Sequence, residues 1–288
     1  MKNATTIILS ILAIVLLSCA SGHHEPFAEN TPVARDLDAL ALQLQALCDE
    51  SSLLSLEQAG WVAYDGFSAP IWVVRYRQPG AERWVLVTGG VHGNEPAGCA
   101  WVIELVSLLA DRPQLYANVS FDLVPLVNPW GWSRDIRYNQ EGRDINRDFA
   151  SFETQEARIL RSSFDSRGYD LVIDHHEDPD ADGFYLYQYA KRDTTLCRNV
   201  IEEIGKLGYP IEQDVRMVIL RTRNGLIDAP GWGLRYMRLT GQLSITNYLR
   251  LENSREVYTI ETPIRLPMED RLRMHHRAFE LIFGGVIE

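Results

Sequence analysis

The chain has 288 residues, of which 46% are hydrophobic and 23% are charged. These values are typical of a globular protein, and they exclude a fibrous repeat and a long disordered chain. The 39 acidic residues outnumber the 28 basic ones, and the formal net charge of −11 argues against binding along a nucleic-acid backbone. Four cysteines in this length do not make a disulfide-rich scaffold.

The first thirty residues differ in composition from the rest of the chain. Lys2 precedes an apolar run over residues 7–17. This run is shorter than the roughly 20 residues that cross a bilayer, so it is typical of a secretory signal peptide, with an N-terminal membrane anchor as the alternative. The sequence Leu-Leu-Ser-Cys that ends at Cys19 resembles the bacterial lipobox. That resemblance implies removal of residues 1–18, a lipid on Cys19, and a polar tether over 19–30.

Downstream of the tether, the apolar residues follow helix and strand periods in turn. Thr31-Pro32 is typical of a helix start, and Leu37, Leu40 and Leu44 then fall on one helical face. In chain order, the patterns further predict a hairpin of strands 61–64 and 71–76, strand 84–88, helix 96–109, strand 119–127, helix 152–164, strands 171–174 and 184–187, helix 194–207, strand 215–220, strand 257–260 and helix 269–282.

This order predicts the fold class. Helices alternate with strands, and several strands are apolar throughout, as in a sheet that is buried on both faces. We therefore expect an α/β fold with a mixed, largely parallel twisted sheet covered by helices on both faces. The absence of repeats and of low-complexity linkers after residue 31 predicts a single domain over residues 31–288.

Two polar clusters that follow apolar strands hold residue types that bind metals. His92 and Glu95 are three residues apart, and one imidazole and one carboxylate can occupy two corners of a zinc site. His175 and His176 follow strand 171–174, so a third ligand is available at another strand end. The two histidines point to opposite faces if the strand continues. Each pattern alone is also common among polar residues that are simply exposed to solvent.

Two further clusters suit substrate binding and proton transfer. Four arginines lie within residues 134–147 of an otherwise acidic chain, and a guanidinium group fits a carboxylate. Glu261 ends an apolar strand, where a carboxylate beside a metal can act as a general base. The acidic loop 178–183 is expected at the rim of such a site, where it could favour a substrate with a free amine.

Taken in order, the clusters resemble the zinc metallocarboxypeptidases related to carboxypeptidase A, over roughly residues 60–285. The family pattern runs from His-x-x-Glu through an Asn-Pro-x-Gly turn, an arginine, an Asn-Arg pair and a histidine to a catalytic glutamate. Here it is carried by His92, Glu95, residues 128–131, Arg137, Asn146, Arg147, His176 and Glu261. Trp130 departs from the usual aspartate of the turn. The short stretch between Glu95 and His176 is similar to murein peptide amidases and to the aspartoacylase and succinylglutamate desuccinylase branch.

The resemblance implies the family's fold and a role for each matching residue. It implies that a Zn²⁺ ion is held by His92, Glu95 and His176, and that Glu261 is the general base. It further implies that Arg137 stabilises the oxyanion and that Asn146 and Arg147 bind the terminal carboxylate of the substrate. Tyr236 and Tyr248 are the candidates for a substrate-contacting tyrosine, with core packing as the other role for each.

Three functions remain open at this stage. We expect a zinc-dependent carboxypeptidase that acts on peptides or cell-wall stem peptides. The alternatives are a deacylase of N-acyl amino acids and a non-catalytic lipoprotein that binds peptides or glycans. The lipobox resemblance implies an exported protein that is lipid-anchored to the bacterial cell envelope. Ala20 and Ser21 after Cys19, without an aspartate, favour the periplasmic side of the outer membrane if the organism is Gram-negative. The lipid would be the protein's only membrane contact. Two of Cys48, Cys99 and Cys197 could pair in an oxidising compartment.

Overall fold

The computed structural model describes residues 35–287 apart from residues 167, 192, 215, 218 and 219. The predicted signal peptide, the lipid attachment at Cys19 and the tether lie outside the described residues. The domain boundary at residue 31 therefore stays a prediction. In the described part of the chain, no helix is both long enough and apolar enough to cross a membrane.

The helices and strands alternate along much of the chain. The helices are α1 Leu37–Asp49, α2 Pro96–Asp111, α3 Pro129–Trp132, α4 Gln155–Ser163, α5 Thr195–Lys206, α6 Gly231–Leu239, α7 Ile245–Leu251 and α8 Met268–Ile287. The strands are β1 Leu54–Tyr64, β2 Phe67–Tyr76, β3 Arg83–Gly89, β4 Val119–Val124, β5 Leu171–Asp178, β6 Tyr185–Tyr189, β7 Arg216–Met217, β8 Leu220–Arg221, β9 Leu226–Ala229 and β10 Glu256–Pro263.

Eight of the described strands form one mixed sheet in the order β1-β2-β4-β3-β5-β10-β6-β9. The central pairings β4–β3, β3–β5 and β5–β10 are parallel, as is the edge pairing β6–β9. The pairings β1–β2, β2–β4 and β10–β6 are antiparallel. This arrangement confirms the predicted α/β class with a mixed, largely parallel sheet.

A separate apolar core lies on each face of the sheet. One core contains side chains of α1, α2, α5 and α8, and the other contains side chains of α4, α6 and α7. Successive strand residues face opposite cores, since strand side chains alternate. Val85 and Val87 lie in the first core, whereas Leu86 between them lies in the second. This double burial explains why the central strands are continuous apolar runs.

The predicted and observed elements differ mainly at their ends. The predicted helix start at Thr31-Pro32 lies outside the described residues. Helix α1 begins at Leu37, and its N-cap is Asp36, whose carboxylate accepts hydrogen bonds from the amides of Asp38 and Ala39. The expected strand 215–220 is instead two short strands, β7 and β8, within the described residues. Strand β9 and helices α6 and α7 were not predicted.

Strands β5 and β10 extend beyond their apolar runs. β5 continues to Asp178 and β10 to Pro263, so His175, His176 and Glu261 lie within strands rather than after them. Their polar ends are regular strand because the two strands pair in register through Pro263 and Asp178. The polar residues of this stretch therefore have fixed positions.

Gly93 lies in the loop between β3 and α2 and packs directly on the backbone of α3. A Cβ atom at Gly93 would lie 2.0 Å from the carbonyl carbon of Gly131. We expect Gly93→Ala to lower the free energy of unfolding by about 1–3 kcal/mol, because backbone must move to admit the methyl group. Denaturant titration of the full chain measures this change.

Gly205 provides the matched control for this prediction. It lies in helix α5, and its Cβ would meet Ile211 Cγ1 at 3.6 Å, an ordinary contact. Gly205→Ala is therefore expected to be neutral or to stabilise the protein by about 0.5–1 kcal/mol. Equal effects of the two substitutions would contradict the close approach at Gly93.

Candidate metal and catalytic site

The site lies at the carboxyl edge shared by β3, β5 and β10. These strands are adjacent and parallel, so their carboxyl ends lie side by side. Gly89, at the end of β3, pairs with His175, and Glu261 pairs with His176. The loop that follows β3 carries His92 and Glu95 to the same edge. The topology thus brings together residues that are far apart in sequence.

Three of the predicted site residues converge in the form of a metal site. His92, Glu95 and His176 are all buried, and their candidate ligand atoms lie within 4.8 Å of one another. His92 Nδ1 is 2.6 Å from Glu95 Oε1, and His176 Nδ1 is 2.7 Å from Glu95 Oε2. Two imidazole nitrogens and one carboxylate therefore face a common point, which is a donor set that suits zinc.

The outer nitrogen of each imidazole contacts a second carboxylate. His92 Nε2 is 3.1 Å from Asp144 Oδ1, and His176 Nε2 is 2.8 Å from Asp174 Oδ2. Thr88 Oγ1 donates to the other oxygen of Asp174 at 2.6 Å. Carboxylates in this position hold the tautomer and ring orientation that leave Nδ1 free to bind a metal. These contacts are the structural observation that the residues fit a metal ion.

His175 and His176 lie on opposite faces of β5. His176 points to the carboxylate of Glu95, whereas His175 points to the opposite face of the sheet. There His175 Nδ1 lies 3.0 Å from Nδ1 of His275 on α8. Burial lowers the pKa of both imidazoles, that of His275 to about 3, so this pair is a neutral part of the core.

Arg137 and Glu261 lie beside the three converging residues. Arg137 donates to Glu95 Oε1 and to Asp144 Oδ2, both at 3.1 Å. Burial raises the pKa of Glu261 well above its usual range; His176 opposes this shift, and Glu95 adds to it. Asp144 keeps a pKa well below its usual range despite burial, because His92 and Arg137 favour its charged form.

Asn146 and Arg147 form a short 3₁₀ turn next to this group. Asn146 Nδ2 lies 3.3 Å from His176 Nε2, and its Oδ1 accepts a hydrogen bond from the amide of Ile245 at 3.1 Å. Arg147 donates to the carbonyl of Asn146, and both residues line the adjacent cavity. Asn146 therefore connects the metal-site region to the start of α7, which its predicted role did not include.

A buried ion pair behind the site was not predicted. Glu177 follows His176 on β5, and its carboxylate accepts from Arg271 on α8 and from the amide of Ala97 at 2.6 Å. The amide of Glu177 donates to Glu95 Oε2 at 3.2 Å. Glu177 thus links β5, the first turn of α2 and α8. The sequence signal was a glutamate directly after the histidine pair, but its partner is distant in the chain.

Arg271→Met is expected to lower the free energy of unfolding by about 3–5 kcal/mol. The substitution leaves the carboxylate of Glu177 buried without its cation, and such a loss is among the costliest in a protein interior. Arg273→Met on the same helix is the control, because Arg273 is exposed and pairs with Glu269 at the surface. It is expected to cost under about 1 kcal/mol. Denaturant midpoints that fall equally in both variants would contradict this role of Arg271.

A cavity of about 610 Å³ opens at the site. Its lining includes His92, Glu95, Arg137, Asn146, Arg147 and Glu261. Tyr236 lines the cavity, whereas Tyr248 packs with Phe149 and Phe152 in the core. Of the acidic loop, Asp178 and Asp180 line the cavity, and Asp182 pairs with Arg265. Cys48, Cys99 and Cys197 are buried free thiols, and Cys99 contributes no ligand to the converging group.

The N-terminal end of the described chain is attached to the same region. Arg35 donates to the carbonyl oxygens of Gly93 and Trp132, at 2.8 and 3.0 Å, and pairs with Asp135. Asn128 holds its turn closed by accepting from the amide of Gly131 at 2.9 Å. The turn therefore has its regular form although Trp130 stands at its third position.

Comparison with known proteins agrees with this geometry. Residues 81–213 match the sequence model of the succinylglutamate desuccinylase/aspartoacylase catalytic domain. A carboxypeptidase of Arabidopsis thaliana is 33% identical over 91 residues, which are 28% of this chain and 18% of that protein. Carboxypeptidase 2 of Trichophyton rubrum is 26% identical over 144 residues, which are 46% of this chain and 27% of that protein. The chain thus matches a minor part of these curated relatives.

Solved structures share the fold over most of the chain. A metallopeptidase structure from Shewanella denitrificans superposes with a TM-score of 0.71 at 22% identity, covering 87% of this chain and 90% of the other. A metallo-carboxypeptidase from Burkholderia cenocepacia has a TM-score of 0.65 at 19% identity, covering 88% and 69%. These structures share the fold of this chain, and together with the sequence matches they support its resemblance to the zinc carboxypeptidases.

Proposed function

We propose that this chain is a zinc-dependent hydrolase that cleaves the peptide or amide bond next to a terminal carboxylate. The observation that carries the proposal is the convergence of His92, Glu95 and His176 beside Glu261, in a cavity that also contains Arg137 and Arg147. Metal donors, a carboxylate base and guanidinium groups are the parts that such a hydrolysis needs.

Each residue has a distinct part in the proposed reaction. His92, Glu95 and His176 would hold a zinc ion, which would supply Lewis-acid chemistry toward water and a scissile carbonyl. The raised pKa of Glu261 makes its carboxylate a competent proton acceptor, and the same group can return the proton to the leaving amine. Arg137 is charged and half-buried next to the ligands, so it can stabilise negative charge that develops on the carbonyl oxygen.

Substrate binding is assigned to the residues farther along the cavity. Arg147 and Asn146 line it beside the metal donors, and a guanidinium with an amide suits a terminal carboxylate. We infer that peptides, cell-wall stem peptides among them, are substrates. Asp178 and Asp180 also line the cavity and support a substrate with a free amine outside its terminal residue; equal turnover of peptides that differ only in whether this amine is free or acetylated would remove this support.

The second candidate function is deacylation of N-acyl amino acids. It is favoured by the match of residues 81–213 to the desuccinylase and aspartoacylase domain. The test measures the turnover rates of the zinc-loaded full chain, purified in detergent. It compares N-acetylated dipeptides with N-acetyl and N-succinyl amino acids as substrates. Faster turnover of the dipeptides supports the carboxypeptidase; turnover of the acyl amino acids alone supports the deacylase. No turnover of either by zinc-loaded protein would favour the non-catalytic lipoprotein.

We further propose that the protein is exported and lipid-anchored through Cys19 to the bacterial cell envelope, at the periplasmic side of the outer membrane. The support is the lipobox-like sequence that ends at Cys19 after the apolar residues 7–17. A lipid anchor would place the cavity among extracytoplasmic peptides. The test expresses the wild type and Cys19→Ala and examines each by mass analysis and membrane fractionation. A wild-type protein that is as unmodified as the variant would contradict the lipid anchor.

A further inference from the structure

Part of the cavity lining is polar, uncharged and buried. This part consists of Tyr189, Ser244, Asn247 and Thr259, each at most 8% exposed. In contrast, Trp232 on α6 also lines the cavity and is 61% exposed, so it marks the mouth. We call the four buried residues the polar recess.

The hydroxyl groups of the recess are already hydrogen-bonded. Tyr189 OH lies 2.9 Å from Thr259 Oγ1, and Ser244 Oγ lies 3.0 Å from Thr246 Oγ1. Thr259 Oγ1 and Thr246 Oγ1 are 3.4 Å apart, which joins α7 to β10. This chain of hydroxyls stabilises the walls of the recess.

Asn247 differs from its neighbours. Its amide nitrogen in the backbone donates to Ser244 Oγ at 3.2 Å, which fixes the residue in the first turn of α7. Its side-chain Oδ1, however, is buried and has no hydrogen-bond partner among the described residues. Leaving a buried polar atom unpaired costs free energy, so such an atom in a native protein needs an explanation. A ligand group that enters the recess would satisfy the side-chain amide of Asn247 after a small rotation.

The recess is adjacent to the proposed chemistry. Thr259 and Glu261 are two residues apart on β10, so their side chains lie on the same face of the sheet. The start of α7 is held by Asn146 Oδ1 through the amide of Ile245, and Asn146 also contacts His176. A substrate whose scissile bond lies at Glu261 therefore has a neighbouring group within reach of Asn247.

We propose that Asn247 is a specificity-determining residue. It selects an uncharged substrate side chain that forms hydrogen bonds, and it prefers a carboxamide. The inference rests on the proposed function and names its substrate class: peptides or acyl amino acids that end in glutamine or asparagine. A carboxamide matches Asn247 because each group has a donor and an acceptor. A charged side chain meets no counter-ion within the recess and loses its hydration, and an apolar one leaves Asn247 unpaired.

The experiment measures kcat/KM of the zinc-loaded full chain on four N-acetylated dipeptides that end in glutamine, glutamate, lysine or methionine. These residues have similar lengths, so the comparison isolates charge and hydrogen bonding. We expect the glutamine substrate to exceed the other three by about tenfold or more. Asn247→Asp should move the preference to lysine and away from glutamate, and Asn247→Leu should move it to methionine.

Asn199→Asp is the matched control. Asn199 is exposed on α5, so this substitution adds the same negative charge at the surface. It should leave the order of the four substrates unchanged. An unchanged order in both Asn247 variants, or an equal loss on all four substrates, would overturn the proposal.

Binding of the intact dipeptides to zinc-loaded Glu261→Gln, by calorimetry, separates this inference from the proposed function. Selective binding of the glutamine peptide supports the proposed role of Asn247 even if the wild type hydrolyses none of the four peptides. In the double variant that also carries Asn247→Asp, the selectivity should change to the lysine peptide. Binding without selectivity, or no binding, overturns it.

Discussion

Glu261→Gln is expected to lower kcat on the preferred substrate by about 10²–10⁴-fold, the usual contribution of a general base, while zinc content stays at the wild-type value. The amide of glutamine is nearly isosteric with the carboxylate but cannot accept a proton at neutral pH. Glu261 is not one of the three converging donors, so its replacement leaves the metal site intact. Steady-state kinetics and elemental analysis of the same preparation provide both readouts.

Glu256→Gln is the control on the same strand. Glu256 lies at the opposite end of β10 from the cavity and pairs with Lys191. We expect this variant to keep most of the wild-type kcat. Loss of a general base leaves well under about a tenth of kcat. If Glu261→Gln retained more than that, the proton acceptor would have to be another residue.

His176→Ala is expected to abolish stoichiometric zinc binding. The wild type should hold about one zinc per chain, the stoichiometry of a mononuclear site with three protein ligands. Removing one of the three donors leaves His92 and Glu95, which are only part of the set. Elemental analysis after dialysis against zinc and then against buffer gives the metal content directly.

Thermal unfolding gives an independent readout of the same site. A ligand that binds only the folded protein stabilises it by about 2.7 kcal/mol at a concentration 100 times its Kd. Zinc should therefore raise the Tm of the wild type and of His276→Ala, whose half-exposed side chain on α8 pairs with Glu280 and is not one of the three donors. It should not raise the Tm of His176→Ala. A zinc-dependent rise in all three proteins would mean that the ion binds elsewhere.

Much of the sheet could be predicted from the sequence because its strands are buried on both faces. Val85–Val87 and Leu171–Ile173 are apolar in every position, and they became β3 and β5. The strand ends were harder to predict, since polar residues at 174–178 carry no β pattern. They remain in the strand because β10 pairs with them in register.

The candidate site was predicted for a different reason. Residue types at strand ends suggested a metal and a base, and the family resemblance selected His176. The supporting contacts could not be predicted in this way. Asp144, Arg271 and Asn247 act through partners 52, 94 and 3 residues away, and only the folded chain shows which partner each has. Helices α6 and α7 were missed because they are only nine and seven residues long, and α6 contains two glycines, which disfavour a helix.

Asn146 is the point at which two differently built parts of the protein meet. The groups assigned to chemistry lie at the edge of the central sheet, whereas eight of the residues that line the cavity come from residues 230–251, between β9 and β10. Asn146 contacts both, through His176 and through the amide of Ile245. Substitutions within 230–251 can therefore accumulate in a lineage and reshape the cavity walls while the proposed metal and base residues are inherited unchanged. Drift at Asn146 itself would disturb both at once.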